Sequence, residues 1–465
     1  MEKKRPNILF ILADDLGWGD LGCSGNSLVK TPNLDRLARE GTCLANHYSA
    51  SPICAPARAG LLTGRYPHRT GAVDVPSNRG LDRIHLSEQT LADVFAGAGY
   101  RTGLVGKWHN GIHDPRYHPL ARGFQHFSGF LNGGMDYYDW VLEREGEPME
   151  ADGRYLTDVF TEAGCRFMER GGDSPFFLMV AYNAPHSPLQ APEARIEPYR
   201  AAGSLSEEVA TLYAMIEEMD AGVGRLLQFL ADSGMEEDTL VVFTSDNGPF
   251  LGGACNRYNG SLRGEKGSIY EGGIHVPCLV RQPGRIPPGK DVDAVTHFCD
   301  WLPTLAGFCG IDPAPPHPLD GVDISGLLRG GTADLPERRF WQRNRYAPLA
   351  RCNGAVREGP WKLVFPMRAG GDAKSELDTE VYLQGLHARA ADGPLDPPFE
   401  EREVEPVRPT ELYHLESDPA ESRDLSAEAP ERRAALEAAW DEWFRDVTRR
   451  WKAVYRENRE GGPQG

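Results

Sequence analysis

The chain has 465 residues, and it carries 68 acidic against 50 basic side chains, for a formal net charge of −18 at pH 7. The acidic balance argues against a nucleic-acid-binding protein, whose binding face is basic, although cations gathered at one site can still hold an anionic substrate. No apolar stretch approaches the length of a membrane-spanning helix, so no membrane contact is expected.

Four short apolar runs before residue 245 predict strands. They are continuous rather than alternating, which is typical of strands buried on both faces of a sheet. Helical patterns lie between them, and this alternation predicts an α/β fold with a mostly parallel sheet flanked by helices. The predicted strands are residues 7–13, 102–105, 176–182 and 240–244. The predicted helices are residues 31–41, 57–62, 86–98 and 206–233.

The composition changes after about residue 310, where prolines cluster. We therefore expect two units, a catalytic domain over residues 1–337 and a smaller α+β subdomain over 338–465. The features predicted for the second unit are strands at 361–365 and 411–415, a polar surface excursion at 366–409, a closing helix at 427–450 and a frayed tail from 456.

The nine cysteines are scattered, with no C-x-x-C pair and no zinc-like spacing. This pattern indicates reduced thiols rather than a disulfide framework. The apolar stretch at residues 8–13 is too short for the core of a signal peptide. A cytoplasmic protein is therefore expected, or a periplasmic or secreted one if a signal peptide has been removed.

The predicted strands deliver polar residues at their carboxyl ends. Asp14 and Asp15 follow the first strand, and Asp246 and Asn247 follow the last. Ligands of such sheets bind beyond the carboxyl ends of the strands, so we expect these four side chains to converge. All four are oxygen donors, which favours a hard cation, Ca²⁺ or Mg²⁺, over zinc.

Cys54 begins a segment that reads as the start of a helix. Pro56 suits a first helical turn, and Gly64 suits the end of the helix. Residue 54 would then lie at a helix N-terminus, where free N–H groups favour an anionic oxygen. Arg58 falls one turn further and can point back at residue 54. The plain alternative is a buried structural cysteine.

The run 54–58 resembles the C-x-P-x-R signature of the type I sulfatases, and the resemblance extends over most of the chain in one order. Similar motifs lie at residues 7–22, 31–41, 54–71, 106–109, 184–188, 245–248, 262–277 and 411–424. The resemblance implies an alkaline-phosphatase-like α/β sandwich with a small C-terminal antiparallel sheet and a helix.

For residue 54, the resemblance implies oxidation of Cys54 to formylglycine by a formylglycine-generating or anaerobic sulfatase-maturating enzyme. The hydrated aldehyde would attack sulfur and later release sulfate. It also implies that Asp14, Asp15, Asp246 and Asn247 hold Ca²⁺, with Mg²⁺ as the alternative ion, together with an oxygen of residue 54.

The remaining site residues form a set of cations around the sulfuryl group. The resemblance implies that His186 protonates the leaving oxygen and that Lys266 binds sulfate. It implies that His109 is the base that releases sulfate, and that Lys107 and Arg58 hold the hydrate. Histidine suits proton transfer near neutral pH, and fixed cations suit the charge of a sulfate ester.

Two positions depart from the family pattern, Asn110 where Leu is usual and His275 where Arg is usual. The expected activity is that of a sulfuric ester hydrolase that cleaves a sulfate monoester of a carbohydrate, its partner being a sulfated small molecule or glycan, with the aromatic loop 136–140 as a candidate sugar contact. The alternatives are a phosphonate monoester or phosphodiester hydrolase, and a sulfated-glycan-binding pseudoenzyme. A pseudoenzyme predicts missing catalytic positions, and none is missing.

Overall fold

A computed structural model describes residues 5–172, 174–250, 257–372, 374–388, 395 and 403–460. Part of the predicted excursion at 366–409 and the last five residues of the predicted tail lie outside the described residues. The strands are β1 (Asn7–Ala13), β2 (Thr42–Tyr48), β3 (Arg101–Lys107), β4 (His126–Phe130), β5 (Val141–Arg144), β6 (Glu147–Glu150), β7 (Phe176–Ala181), β8 (Thr239–Ser245), β9 (Cys278–Arg281), β10 (Lys290–His297), β11 (Arg338–Gln342), β12 (Gly354–Glu358), β13 (Trp361–Phe365) and β14 (Glu411–His414).

The helices alternate with the strands through the first part of the chain and gather at its end. They are α1 (Pro32–Glu40), α2 (Cys54–Thr63), α3 (Pro67–Thr70), α4 (Leu91–Gly97), α5 (Leu156–Glu169), α6 (Glu193–Ala201), α7 (Glu207–Asp232), α8 (Glu271–Ile274), α9 (Trp301–Phe308), α10 (Ser325–Leu328), α11 (Glu376–Gly385), α12 (Pro430–Thr448) and α13 (Trp451–Glu460).

A ten-stranded mixed sheet forms the centre of the molecule, in the order β10-β2-β9-β8-β1-β7-β3-β4-β5-β6. The strands from β8 to β4 along this order run parallel, whereas β9, β5 and β6 pair antiparallel to their neighbours. Every residue of β7 and β8 is buried. Helices therefore cover both faces, which is why these strands have continuous apolar sequences.

The four predicted strands are confirmed with shifts of a few residues at their ends, and the first matches β1 at both ends. The helix predicted over 86–98 was too long, since α4 begins at Leu91. The Thr90 hydroxyl accepts a hydrogen bond from Asp93 N, and the Asp93 carboxylate accepts one from Thr90 N. This capping box fixes the start of the helix.

The second unit contains the predicted small antiparallel sheet, in the order β11-β12-β13-β14. The predicted closing helix is two helices, α12 and α13, and the chain is helical to Glu460 rather than frayed from 456. Buried Asn458 explains why the end of the chain stays helical. Its Nδ2 donates to Arg83 O at 2.9 Å, and its Oδ1 accepts from Tyr117 OH at 3.1 Å.

One hydrophobic cluster contains residues from both units, among them Phe10 of β1 and Trp440 of α12. The division at residue 337 stays a prediction. Within the described ranges, the helices lack an apolar stretch of the length that a membrane crossing needs.

Candidate active site

The pairing of β1 with β8 brings the predicted oxygen donors together. The two strands are parallel, with Ala13 opposite Ser245, so the residues that follow them emerge side by side. Asp246 N donates to Ala13 O at 3.1 Å, and Asp15 N lies 3.3 Å from Asp246 Oδ1. The four side chains are buried; they are Asp14, Asp15, Asp246 and Asn247.

Two oxygens of this group are buried and have no hydrogen-bond partner, Asp14 Oδ1 and Asn247 Oδ1. The Asn247 amide is oriented by its nitrogen, which donates to Asp15 Oδ1 at 2.8 Å. Burial, followed by the nearby Asp14 charge, raises the pKa of Asp246 to about 6. Crowded carboxylates and unpartnered hard oxygens are the features that a Ca²⁺ ion relieves, so the residues present fit such an ion.

Cys54 is the first residue of α2, and the preceding Ile53 is extended. The helix ends at Gly64, which has a left-handed φ of 69° and donates its N–H to Gly60 O. Pro56 lies in the first turn, where its missing N–H leaves no helical bond unmade. The Cys54 side chain is buried, and burial raises the pKa of its thiol. The position of residue 54 at the start of a helix is confirmed. The raised pKa of the thiol means that the surroundings do not favour a thiolate nucleophile.

Each carboxylate is matched to a different cation. Lys107 Nζ donates to Asp14 Oδ2 at 2.6 Å, and Arg58 Nε donates to Asp246 Oδ2 at 2.9 Å. Lys266 Nζ lies 2.7 and 2.8 Å from the two carboxylate oxygens of Asp15. Arg58 also donates to the backbone oxygen of Lys107 at 3.0 Å, which ties α2 to the end of β3.

Gly106 explains how Lys107 reaches the centre of the site. A Cβ at this position would lie 1.9 Å from the backbone oxygen of Ala181 on β7, and the φ of Gly106 is +103°. Only glycine combines this conformation with so close an approach. Any side chain at position 106 would push the end of β3 away from β7, and Lys107 would move with it.

The two predicted histidines are buried beside these charges. His186 Nδ1 donates to Ser187 O at 2.7 Å, and its Nε2 lies 3.7 Å from Asp15 Oδ2. Burial, followed by the Lys266 charge, lowers the pKa of His186 to about 3. His109 has a left-handed φ of 58°, a buried Nδ1 without a partner, and a pKa that burial and Lys107 lower to about 3. Both rings are thus neutral near pH 7 in the substrate-free protein.

A cavity of about 340 Å³ opens over this group, within the size range of small-molecule sites. Cys54, His109, His186 and Lys266 are in its wall. Five of the ten predicted site residues therefore line one cavity, Asp15 among them, and the other five are joined to Asp15 or to one another by hydrogen bonds.

Part of the cavity wall comes from the polar excursion at 366–409 and the loop after Phe130, the segments expected to set substrate choice, although no single residue in them was predicted as a site residue. Tyr382 of α11 lies with its ring centre 6.4 Å from that of His186. Arg343 and Arg345 follow β11 and line the same cavity with Lys374. No motif marks these residues, and α11 lies within the polar excursion predicted for 366–409.

The aromatic loop 136–140 and the two departures from the family pattern, Asn110 and His275, make contacts within the fold. Tyr137 is buried and donates its hydroxyl to Asn183 O at 2.8 Å, while Trp140 donates its indole N–H to Arg154 O. Neither residue lines the cavity. Asn110 Nδ2 donates to Ala55 O at 3.0 Å and so braces the first turn of α2. His275 stacks on Tyr48 and bonds Ala45 O at 2.7 Å.

The central sheet and the cavity at its carboxyl edge define a hydrolase of the alkaline-phosphatase-like fold. Residues 6–311 match the sulfatase family model, and the chain belongs to the sulfatase family. It is 32% identical to mouse steryl-sulfatase, over 94% of this chain and 81% of that protein. It is 35% identical to human arylsulfatase A, over 91% of this chain and 83% of that protein.

Among solved structures, the chain is similar to Ps i-CgsB, crystallised in complex with k-i-k-neocarrahexaose. The TM-score is 0.80 at 28% identity, over 99% of this chain and 98% of that one. The protein is therefore a sulfatase, in agreement with the predicted enzyme class and fold.

Proposed function

We propose that this sulfatase hydrolyses a sulfate monoester of a carbohydrate, with a formylglycine made from Cys54 and with a bound Ca²⁺ ion. One observation carries the proposal. Cys54 lies in the wall of a cavity at a helix N-terminus, among cations that are each matched to a carboxylate.

The metal would be held by Asp14, Asp15, Asp246 and Asn247 with an oxygen of residue 54. The two unpartnered oxygens, Asp14 Oδ1 and Asn247 Oδ1, support this assignment. A bound Ca²⁺ ion neutralises negative charge at the nucleophile and at one substrate oxygen. Mg²⁺ is the alternative, although it demands tighter octahedral geometry.

A hydrated formylglycine at residue 54 supplies an oxygen nucleophile that a thiol does not. Arg58 and Lys107 orient that oxygen from below, because both are already fixed by buried carboxylates. Lys266, at the cavity wall, binds a sulfuryl oxygen and stabilises its charge.

The histidines carry the proton transfers. His186 Nδ1 is held by a backbone carbonyl, so its Nε2 faces Asp15 and the cavity. An arriving anion favours the protonated ring, and His186 then gives its proton to the leaving oxygen. His109, whose Nδ1 has no protein partner, accepts a proton from the hydroxyl at residue 54.

A carbohydrate substrate is supported by the size of the cavity and by Tyr382, an aromatic ring beside His186. It is also supported by the likeness to a protein that binds a neocarrahexaose. We further propose that a formylglycine-generating or anaerobic sulfatase-maturating enzyme modifies Cys54. The cytoplasm is the proposed location, because the eight described cysteines are free thiols.

The proposal is tested with a panel of defined sulfated saccharides, assayed beside a phosphonate monoester and a phosphodiester. We expect turnover of a sulfated saccharide by matured protein and none by Cys54→Ala. Cys165→Ala, at a partly exposed helical position away from the cavity, is the matched control and retains turnover. Faster turnover of the phosphorus esters would instead indicate the phosphonate or phosphodiester hydrolase. Binding of the saccharide by matured protein without turnover would indicate a pseudoenzyme.

A further inference from the structure

A second group of cations lines the cavity away from the carboxylates beneath Cys54. Arg343, Arg345 and Lys374 all come from the chain after β11 and all face the same cavity as Cys54. They are separate from the cations that pair with the proposed metal ligands.

Two distances place these cations relative to the reacting groups. Arg343 Nη1 lies 3.7 Å from the point that a Cβ of Gly267 would occupy, immediately after Lys266. Lys374 Nζ lies 5.2 Å from the centre of the Tyr382 ring, and that ring centre lies 6.4 Å from the centre of the His186 ring. A sulfate ester held between Lys266 and His186 would therefore have its other substituents next to these two cations.

Three carboxylates lie around this group, and one of them, Asp378, is already bonded to Arg79 and to the Tyr346 hydroxyl. Asp74 is fully buried and accepts from Arg345 at 3.1 Å, while its other oxygen accepts from Tyr346 N at 2.9 Å. Asp372 accepts from Arg343, but about half of its side chain is exposed to solvent. Within the described part of the chain, Lys374 has no carboxylate within 4 Å.

The buried side chain of Arg343 is also incompletely bonded. Its side chain is only 2% exposed, yet its Nε has no hydrogen-bond partner. Burial, followed by the charge of Arg345, lowers the pKa of Arg343, and partial loss of solvent contact, together with the same Arg345 charge, lowers that of Lys374, whose side chain stays exposed on one side. Lys266 differs, because Asp15 raises its pKa despite its burial. The protein thus leaves a positive field at Arg343 and Lys374 that a ligand can neutralise.

We propose that Arg343 and Lys374 form an anion-binding subsite for a second charged substituent of the substrate, a carboxylate or a second sulfate. Arg345 is a positioning residue, held by Asp74 beside Arg343. The planar guanidinium of Arg343 suits the paired oxygens of either anion. The half-exposed carboxylate of Asp372 bonds the Arg343 guanidinium, and a substrate anion would make the same kind of bond.

The inference rests on the proposed function for its substrate, so the test separates the two. Binding is measured by calorimetry in the Cys54→Ala background, which needs no turnover. The ligands are a monosulfated disaccharide, its disulfated counterpart, and a monosulfated disaccharide with a uronic acid carboxylate. The variants are Lys374→Gln, at an exposed position, and Arg343→Gln; Arg423→Gln, exposed and paired with Glu428, is the matched control.

We expect a doubly charged ligand to bind at least about 10-fold more tightly than the monosulfated one, as for a charge-assisted hydrogen bond. The ratio of the two dissociation constants, monosulfated over doubly charged ligand, is the quantity compared. Lys374→Gln and Arg343→Gln should each reduce this ratio several-fold, and Arg423→Gln should not change it. The ligand that gives the larger ratio identifies the anion.

An unchanged ratio in a folded Lys374→Gln protein would overturn the subsite, whether or not Arg343→Gln folds. Equal binding of all three ligands would overturn it as well. Sulfatase turnover on the same disaccharides is scored separately with matured protein. If turnover is absent but the binding ratio still falls in the Lys374 and Arg343 variants, the proposed substrate is refuted and the subsite is supported.

Discussion

Replacing Lys362 with methionine tests how the small sheet is fixed to the catalytic unit. Lys362 is on β13, is fully buried, and has its Nζ 2.7 Å from Glu271 Oε1 and 2.9 Å from Glu421 Oε1. Glu271 begins α8, directly after the loop that carries Lys266. The ammonium therefore joins the C-terminal sheet to the segment that supplies a proposed sulfate-binding residue.

The magnitude of the effect depends on the burial of both glutamates. Burial alone would raise the pKa of Glu271, but Lys362 and neighbouring cations lower it to about 2. Burial raises the pKa of Glu421 to about 7, against the opposing effect of Lys362. At least one buried carboxylate is thus charged at pH 7.5. Removing its partner should lower the free energy of unfolding by about 3–5 kcal/mol.

The assay is equilibrium unfolding in urea at pH 7.5, with a double-variant cycle. Glu271→Gln in the Lys362→Met background removes the unpaired charge, so the double variant should recover about 1–2 kcal/mol relative to Lys362→Met alone. Lys452→Met, at an exposed position, should stay within about 0.5 kcal/mol of the parent protein. A loss below about 1 kcal/mol for Lys362→Met, or strictly additive single effects, would refute the reasoning.

Three further predictions concern the site and its surroundings. Chelation should lower the melting temperature of the protein, and added Ca²⁺ should restore it. The expected gain in the free energy of unfolding is about 2.7 kcal/mol at a free Ca²⁺ concentration 100 times the dissociation constant. Asn247→Ala should abolish the shift, and identical melting with and without chelator would contradict the metal site. His186→Gln should slow hydrolysis of a sugar sulfate by about 100-fold or more but slow an aryl sulfate far less, because a good leaving group needs no proton; equal losses on both substrates would exclude the acid role. Burial lowers the pKa of His68 to about 4, so below pH 6.5 the unfolded chain binds a proton that the folded chain excludes. Stability should then fall between pH 6.5 and 4 by up to about 3 kcal/mol, and His68→Gln should flatten this fall in melting scans at pH 7 and 4.5; parallel pH profiles for both proteins would contradict it.

Residues at the ends of the central strands could be predicted because sheet geometry requires them to converge. A continuous apolar run such as β1 is long, buried and followed at once by Asp14, and parallel pairing with β8 brings the residues after both strands to one place. The position of Cys54 at a helix start could be predicted equally well, because Pro56 and Gly64 mark the two ends of α2. The physical signals there are local, and a single sequence contains them.

The segment at 366–409 was expected to influence substrate choice, but the individual residues of the substrate-facing wall could not be predicted, because their signals are not local. Tyr382 and Lys374 lie in a polar excursion without a strong helical period, and α11 is placed by its contacts with a distant part of the fold. One such contact is Asp378, which accepts from Tyr346 OH at 2.5 Å and from Arg79 at 2.8 Å. The start of α4 and the helical end of α13 depended likewise on single polar contacts, made by Thr90 and Asn458.

The central claim is that residue 54 acts as an aldehyde rather than a thiol. Mass spectrometry of the peptide that contains Cys54, from protein produced with a maturation enzyme, measures the converted fraction, and sulfate release is measured on the same preparations. Activity should rise in proportion to the converted fraction and vanish when conversion is zero. Full activity in protein whose Cys54 is entirely unmodified would contradict the account.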